Sequence, residues 1–345
     1  MAPKPPQAGR PVDHVETFDY RARRAMPGRR LDGYLAAKFS NYSRTFLTTL
    51  VRDGKVTING ENVKPHYEIH RGDRIHIELP VFARHTLVPE NIPLDILHED
   101  DHILVINKPA DIIVHPARSH MTGTLVNALV YYCDSLPESD DKVRPGIIHR
   151  LDRDTTGVMV VVKDESSRGW IGRQFEWRRV KKFYLAVVEG EVELDSDVIE
   201  APLARHGKHQ EKMSVNRQEG REAISIYRVL ERFKGFTLVQ VELKTGRTHQ
   251  IRVHMAHVRH PVVADAQYGP RDALYLSDLT GEEYTDGEEP LIARQALHAH
   301  TITFNHPGTK EPVTYTAPLP DDFEALLAAL RQYRAPTVRP GGRSL

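Results

Sequence analysis

In the first quarter of the chain the apolar positions repeat every three or four residues, which predicts two helices. The first helix presents Leu31, Leu35 and Phe39 on one face. The second helix follows Ser43, a residue type favoured at the N-cap, and ends at Gly54. The apolar face of the second helix consists of four residues: Phe46, Leu47, Leu50 and Val51.

The spacing then changes to alternate residues, which predicts strands. Val56 and Ile58 lead into Asn59-Gly60, a dipeptide typical of a tight hairpin turn. A turn at Gly72-Asp73 precedes a further strand whose apolar residues stand at positions 75, 77 and 79. We therefore expect residues 28–82 to form a small unit of two helices and a hairpin sheet.

From residue 96 onward the pattern consists of many short apolar runs and a few helices. The predicted strands include residues 103–106, 183–188, 224–230, 236–243 and 299–304. Strands and helices do not alternate in a βαβ rhythm, so the prediction is an α+β domain built on a largely antiparallel sheet. An amphipathic helix is predicted for residues 321–333.

Length and composition suggest a chain of two domains with terminal tails. At 345 residues the chain exceeds one average domain. The Pro- and Arg-rich stretch at the start suggests a flexible, basic tail. The predicted organisation is a tail at 1–27, a small domain at 28–82, a linker at 83–95, a larger domain at 96–335 and a second tail at 336–345.

The net charge of zero conceals two charged regions. Residues 1–80 hold fourteen Lys and Arg against nine Asp and Glu, whereas residues 271–290 hold seven acidic residues against one arginine. The basic region suggests a phosphate-bearing partner, and an ordinary solvated surface is the alternative. Residues 271–290 lack apolar periodicity and are predicted to be an acidic surface loop.

The sequence points to a protein of a reducing compartment. It has no run of 18 apolar residues and no signal-peptide pattern, so we expect no membrane contact and a cytoplasmic location. A single cysteine, Cys133, excludes an internal disulfide, and its Tyr-Tyr-Cys context favours packing over a role as nucleophile.

The run from His149 to Gly157 is the strongest candidate for chemistry. It places Arg150 and Asp152 between two apolar runs, 147–148 and 158–162, that are predicted to be strands. Burying such charges without partners costs several kcal/mol, so the run is either a structural ion-pair hub or an active site. A carboxylate such as Asp152 can act as base, metal ligand or nucleophile, and a nearby arginine would keep it ionised.

Two other segments carry basic or aromatic side chains that could act together with Asp152. In residues 243–254 a turn at Gly246 precedes a predicted helix on which His249 and Arg252 lie one turn apart. Lys182 and Tyr184 share one face of a predicted strand, where an aromatic ring can either stack on a nucleobase or simply pack in the sheet.

The histidines at 249, 254, 257 and 260 invite a metal interpretation, but their segment has no Cys, no Glu at a ligand position and no H-E-x-x-H. We therefore predict packing or RNA-facing roles for these histidines rather than metal binding. The chain also lacks the P-loop, G-x-G-x-x-G and G-x-S-x-G patterns, which argues against the usual nucleotide-hydrolysis, dinucleotide and hydrolase functions.

Several of these segments together resemble the RluA/RluD family of pseudouridine synthases. The run from His149 to Asp152, with Thr155-Thr156-Gly157, resembles the family's signature loop. The other matches, in chain order, are Asn107-Lys108-Pro109-Ala110 with Val114-His115-Pro116, Lys182-Phe183-Tyr184, the run 246–254, Gln295-Ala296-Leu297-His298-Ala299 and Pro318-Leu319-Pro320. Asp111 stands where the family more often has glycine.

The small N-terminal domain resembles the S4-type RNA-binding domain. The matching pieces are Arg30-Leu31-Asp32, Ser43-Arg44, Asp53-Gly54-Lys55-Val56, Ile58-Asn59-Gly60 and Gly72-Asp73. Five basic residues are candidates to grip phosphates: Arg29, Arg30, Arg44, Arg52 and Lys55. A small basic domain with another partner is the alternative.

The resemblance implies a pseudouridine synthase fold and an enzyme that isomerises uridine in RNA, with large-subunit ribosomal RNA as the expected substrate. It also implies that no metal or other cofactor is needed. It implies Asp152 as nucleophile, attacking the ribose or the base or assisting glycal formation. Arg252 would pair with Asp152, Tyr184 would stack on the uracil and serve the late proton removal, and Ile251 would line the pocket. Arg150 would fill the space left by a flipped base or hold a phosphate, and His149 and Lys182 are further candidates for substrate binding.

Two other functions remain open at this point. One is a ribosome-associated RNA-binding protein with an inactive catalytic domain, and the other is a hydrolase that cleaves free nucleosides. The presence of Asp152, Tyr184 and Arg252 argues against the first, and the basic N-terminal domain argues against the second. We expect a monomer, because no obvious apolar helix or strand is left unassigned.

Overall fold

The computed structural model describes residues 12–22, 30–39, 44–82, 87, 89–115, 123–137, 144–209 and 211–335. Contacts divide the chain into two compact units, Met1–Thr86 and Leu87–Leu345. Each unit is described by itself. No helix among the described residues is long and apolar enough to cross a bilayer.

The first unit is a four-stranded sheet with two helices. Its elements are β1 (Val12–Arg21), α1 (Leu31–Lys38), α2 (Arg44–Arg52), β2 (Val56–Ile58), β3 (Glu61–Asn62) and β4 (Arg74–Phe82). The strands lie in the order β1-β4-β2-β3.

Both predicted helices and the predicted hairpin are confirmed in this unit. Leu31 and Leu35 of α1 are fully buried, as is Leu47 of α2. Asn59 and Gly60 have φ values of 55° and 87°, the left-handed pair that a type I′ hairpin turn needs. The predicted N-cap Ser43 lies outside the described residues.

The prediction of a flexible tail over residues 1–27 is wrong for β1, which pairs antiparallel with β4. Alternate residues of this segment face the core: Phe18 and Tyr20 pack against it and Ala22 is buried. Phe39 lies beside both aromatic rings, at centroid distances of 5.6 and 6.1 Å. The surrounding prolines and arginines dominate the composition and hide this short alternation.

The second unit carries the larger sheet. Its strands are β5 (Ile96–Glu99), β6 (Ile103–Lys108), β7 (Thr156–Val162), β8 (Lys181–Glu189), β9 (Ser196–Glu200), β10 (Leu203–Arg205), β11 (Met213–Val215), β12 (Ile224–Phe233), β13 (Phe236–Leu243), β14 (Leu297–Asn305) and β15 (Pro312–Thr316). Its helices are α3 (Leu125–Tyr132), α4 (Glu165–Glu176), α5 (Gln250–His257), α6 (Leu276–Thr280) and α7 (Asp321–Tyr333).

Nine strands form one mixed sheet in the order β5-β6-β7-β14-β8-β13-β12-β9, with β15 paired to β14. The β7–β14 pair is parallel and the other neighbours in this sheet are antiparallel. The predicted α+β class with a largely antiparallel sheet is confirmed. The predicted helix over 321–333 is α7, whose Phe323, Leu326 and Leu330 are fully buried.

Three segments differ from their predictions. Residues 147–148 do not form a strand but a turn with one bridge, from Ile147 to Val161. The predicted acidic loop contains α6, anchored by buried Leu274 and Leu279. Part of the predicted linker packs on the core of the second unit through Leu87, Ile92 and Leu94. The anchors of the acidic segment and of the linker are two and three apolar side chains at irregular spacing, which a search for periodicity does not detect.

Candidate active site

The loop 149–155 enters β7, and Gly157 fixes how closely that strand approaches β14. Gly157 has φ +114° and pairs in parallel with Ala299. A Cβ at this position would lie 2.2 Å from the carbonyl oxygen of Ala299, so only glycine fits. The glycine that ends the loop therefore allows the backbones of β7 and β14 to approach closely.

A buried lysine holds the loop from the side of β6. Lys108 is fully buried, and its Nζ donates to the carbonyl oxygens of Pro109, Ile112 and Arg153 at 2.7, 3.0 and 2.8 Å. Burial lowers the pKa of this amine to about 7, opposed by the nearby carboxylates of Asp154 and Asp152. Lys108 thus fixes the backbone directly after Asp152. Asp111, beside this contact, adopts φ +57°, a conformation that aspartate tolerates better than most residues.

The segment that leads into β14 holds the other side of the loop. Arg294 forms two 2.7 Å bonds to Asp322 and donates to the carbonyl oxygen of Asp154 at 3.3 Å. The hydroxyl of Thr156 bonds Nδ1 of buried His298 at 2.8 Å. Of the C-terminal segment 295–299 singled out in the sequence, His298 therefore positions the loop, while Leu297 lines the cavity.

Asp152 lies against Arg252, as predicted from the sequence. Nη1 of Arg252 donates to Oδ2 of Asp152 at 3.2 Å, across 100 residues of chain. The Asp152 side chain keeps 17% of its surface exposed, while that of Arg252 keeps 6%. The carboxylate thus has one oxygen held by a buried cation and still reaches the cavity.

Arg252 is itself fixed by a second carboxylate that the sequence did not single out. Asp265 is fully buried and accepts from Nε and Nη2 of Arg252 at 2.7 and 2.8 Å. Gln267 adds a bond to Nη2 at 3.0 Å, and Tyr268 lies under the guanidinium at 5.0 Å. Hydrogen bonds and charge from Asp265 and Asp152 raise the Arg252 pKa further, against the effect of burial.

His249 completes the surroundings of Asp152. Its Nε2 lies 3.9 Å from Oδ1 of Asp152, and its Nδ1 bonds the hydroxyl of Tyr268 at 2.8 Å. His249 precedes α5 in a left-handed conformation, φ 55°, which turns its ring toward the loop. Burial lowers its pKa, the Asp152 charge notwithstanding.

A cavity of about 430 Å³ opens beside these groups. This volume lies in the range of small-ligand sites. Tyr184, Lys182 and Ile251 line it together with Asp152 and Arg252. Tyr184 and Ile251 are buried, and burial with the Asp152 charge raises the Tyr184 pKa, so the ring meets the cavity as a neutral phenol. Burial lowers the pKa of Lys182 to about 8.

The two other predicted pocket residues differ in character. Arg150 is exposed and lines the cavity. His149 also lines it, but its Nε2 accepts the backbone N–H of Val160 at 2.9 Å and its ring stacks on Phe175 at 5.1 Å. Burial, with the charge of Lys182, lowers the His149 pKa to about 3, so this ring is neutral and committed to the fold.

The predicted RNA-gripping residues of the first unit are described only in part. Arg29 and the side chain of Arg44 lie outside the described residues, and Arg52 is exposed in the last turn of α2. Arg30 pairs with Asp32 at 3.0 Å and Lys55 with Glu78 at 2.7 Å, and each basic side chain keeps 53% of its surface exposed.

Possible metal ligands come together at one place in the described part of the chain: His98, Asp100 and His306. Nδ1 of His306 accepts the N–H groups of Gly308 and Thr309, so its Nε2 carries the proton and donates to Asp100 at 2.8 Å. A proton on Nε2 leaves no lone pair there for a cation, which favours a hydrogen-bond network.

His254, one of the histidines considered for a metal in the sequence, is buried and bonds the hydroxyl of Ser225 and the carbonyl of Ala201. His254 holds α5 to the sheet, which is the packing role expected for this histidine from the sequence.

Comparison with known proteins gives consistent matches. Residues 102–257 match the family model for RNA pseudouridylate synthase, and residues 29–75 match the S4 domain. The uncharacterized RNA pseudouridine synthase YlyB of Bacillus subtilis is 40% identical over 318 residues, 92% of this chain and 99% of that protein. Ribosomal large subunit pseudouridine synthase D of Pseudomonas aeruginosa is 42% identical over 307 residues, 89% of this chain and 93% of that one.

A solved structure, human RNA pseudouridylate synthase domain containing 4, superposes with a TM-score of 0.52 at 26% identity, covering 69% of this chain and 93% of that one. Fold and sequence together define an RNA-modifying isomerase that carries an S4 domain. The chain belongs to the RNA pseudouridylate synthase family. The predicted family, fold and class of enzyme are confirmed.

Proposed function

We propose that this protein converts uridine to pseudouridine in large-subunit ribosomal RNA, with Asp152 as the essential carboxylate. The observation that carries the proposal is the arrangement of Asp152, held by Arg252 at one oxygen and open to a cavity lined by Tyr184. The choice of RNA is supported by the relatives named for the large ribosomal subunit.

The reaction is an isomerisation and needs no external reactant. The C1′–N1 bond of the uridine breaks, the uracil turns, and a C1′–C5 bond forms, while C5 loses a proton and N1 gains one. Attack of Asp152 on the ribose, attack on the base and assistance to glycal formation all require an ionised carboxylate at this point. Arg252 supports each of these roles because its buried guanidinium holds one oxygen of Asp152 at 3.2 Å.

The remaining pocket residues have roles that suit a flipped nucleotide. A base inside a helix is out of reach, so the target uridine must turn out of its stack. Tyr184 would then stack on the uracil, Ile251 would close the apolar wall, and Lys182 would hold a phosphate or a uracil carbonyl. Arg150, exposed at the cavity, would occupy the vacated position or bind a phosphate. His149 would act indirectly, by holding the loop.

The S4 domain supplies the sequence-independent part of binding in this proposal. Basic side chains such as Arg30, Arg52 and Lys55 can contact phosphates, and such contacts fix position without reading bases. Affinity carried this way falls steeply with salt because counterions are released on binding. A flat salt dependence would count against this role of the domain.

The test is carbodiimide-based primer-extension mapping on transcripts of large-subunit ribosomal RNA. Wild-type protein is expected to produce new stops, and Asp152→Asn is expected to produce none while still binding the RNA. Stops with both proteins would refute the role of Asp152. RNA binding without stops for either protein would favour the inactive RNA-binding alternative, and release of free uracil would favour the hydrolase.

A further inference from the structure

The turn that ends α4 presents a tryptophan next to the cavity. Glu176 and Arg178 both line the cavity, and Trp177 lies between them in the chain. Trp177 keeps 55% of its surface exposed, which is unusual for the largest apolar side chain. The guanidinium of Arg179 lies over its ring at 4.8 Å.

The backbone of this turn is fixed. The N–H of Arg178 donates to the carbonyl of Phe175 at 3.1 Å, and that of Arg179 donates to the carbonyl of Gln174 at 2.8 Å. This is a Schellman arrangement, which normally has glycine at the left-handed position. Here Arg178 occupies that position with φ +57°.

An ion pair links the side chain of Arg178 to a neighbouring segment. Its guanidinium forms two hydrogen bonds to the carboxylate of Glu222, one of them at 3.3 Å. The carbonyl oxygen of Glu222 in turn accepts from Nε of Arg247 at 2.9 Å, and Arg247 also lines the cavity. Arg178 is thus connected through Glu222 to a second residue of the cavity lining.

The charge around Trp177 suits a polyanion. Residues 173–182 contain five basic residues and one acidic residue, Glu176. The basic residues are Arg173, Arg178, Arg179, Lys181 and Lys182. An exposed aromatic ring interleaved with basic side chains is the arrangement that binds single-stranded nucleic acid, by stacking on bases and attracting phosphates.

We propose that Trp177 is a stacking site for an unpaired nucleobase of the RNA, next to the nucleotide that enters the cavity. This inference rests on the proposed function, because that function places RNA at the cavity. The Arg179 guanidinium would support one face of the indole, and the base would cover exposed ring surface. Trp177 would contribute to RNA affinity and not to the chemical step.

Intrinsic fluorescence tests the stacking directly, because the chain has two tryptophans. Trp170→Phe in the full-length protein leaves Trp177 as the one reporter. We expect single-stranded decauridylate to quench this signal, and an abasic ribose-phosphate oligomer of equal length to quench it far less. Equal quenching by the two oligomers, or no quenching, would refute stacking.

Binding and rate measurements separate this role from a structural one. Trp177→Ala should weaken binding of the ribosomal RNA transcript about tenfold. It should leave the single-turnover rate at saturating RNA unchanged, and Trp177→Phe should restore most of the affinity. The matched control is Tyr333→Ala, which removes another exposed aromatic ring from the same unit and should change neither quantity.

Unchanged affinity in Trp177→Ala, or an equal loss in Tyr333→Ala, would refute the inference. Pseudouridine formation measured in the same samples keeps this outcome distinct from failure of the proposed function. If pseudouridine forms but Trp177→Ala binds the RNA as well as wild type, only the stacking site is refuted. If decauridylate quenches Trp177 but no pseudouridine forms, the proposed reaction is refuted and the RNA-binding surface remains.

Discussion

Replacing Asp265 by asparagine tests whether a buried carboxylate positions the catalytic pair. Asp265 is fully buried, and its Oδ1 accepts from Arg252 Nη2 and from the N–H groups of Gln267 and Tyr268. Its Oδ2 accepts from Arg252 Nε. An asparagine amide must point its NH₂ at one of these donor sets, so either orientation sets donor against donor.

The expected effect on stability is large. Removing one charge of a buried pair costs about 3–5 kcal/mol. Asp152 still contacts Arg252, but through a single 3.2 Å bond, so it offsets the loss only in part. In a unit of this size each kcal/mol shifts the melting temperature by about 2–4 °C, so Asp265→Asn should lower the melting transition of the second unit by roughly 10 °C. The turnover rate should also fall, since Arg252 loses the contact that sets its plane and Asp152 loses a fixed partner.

Asp152→Asn is the matched control, because it removes the other carboxylate of Arg252. Asp152 is more exposed than Asp265 and makes one 3.2 Å bond to Arg252, so Asp152→Asn should cost clearly less stability than Asp265→Asn while activity is lost. Calorimetry and a single-turnover pseudouridine assay on both variants give the comparison. An Asp265→Asn protein that melts like wild type, or an Asp152→Asn protein that loses as much stability, would refute the division of roles.

Three further changes probe the loop. Lowering the pH from about 6.5 toward 3 should reduce the free energy of unfolding by up to about 1.4 kcal/mol per pH unit, because unfolded His149 takes up a proton that the folded ring, with its pKa lowered to about 3, does not. Denaturant titrations should show a flatter dependence in His149→Gln, and an equal slope would contradict this. Gly157→Ala should fail to give a native melting transition, since its Cβ would meet the Ala299 carbonyl; a wild-type melt would contradict the close approach. Lys108→Met should destabilise the unit by about 3 kcal/mol or more and slow turnover, because three carbonyl oxygens lose their donor, and thermal melts with kinetics measure both.

Local periodicity predicted the elements whose apolar spacing is regular. The alternation around Asn59-Gly60 and the helical spacing over residues 321–333 each involve several apolar side chains at the expected positions. Replacing any one of these side chains by a polar one would therefore not change the prediction. The strand β1 was missed because its inward positions, Phe18 and Tyr20, are few and lie in a polar, arginine-rich stretch. It pairs with β4, whose residues lie 53 to 70 positions further along the chain, so no local pattern reveals the pairing.

The sequence predicted those site residues whose type is unusual for the surrounding segment, such as a charge between apolar runs. It missed site residues whose type is common in their surroundings. Charges in an apolar setting pointed to Asp152, and the resemblance supplied Arg252 as its partner. Asp265 carries a similar signal, since it follows Val262, Val263 and Ala264, but a lone aspartate after an apolar run is common at strand ends. What distinguishes Asp265 is its contact with Arg252. Thirteen residues separate the two, and they include the end of α5 and a loop, so no regular spacing in the sequence predicts the contact.

Residues of one family motif can use their polar atoms either to hold the fold or to contact substrate. The structure distinguishes these two uses, and the sequence does not. His149 and Lys182 were both predicted to bind substrate, and both line the cavity. His149 has given its Nε2 to the backbone of Val160, so its motif position serves the geometry of the loop. Within the described residues, no hydrogen bond is made by the side chain of Lys182, whose Nζ lies 5.6 Å from the centre of the Phe175 ring, so the amine is available to an incoming oxygen. A substituted Lys182 should therefore weaken substrate contact at little cost in stability, whereas a substituted His149 should do the reverse.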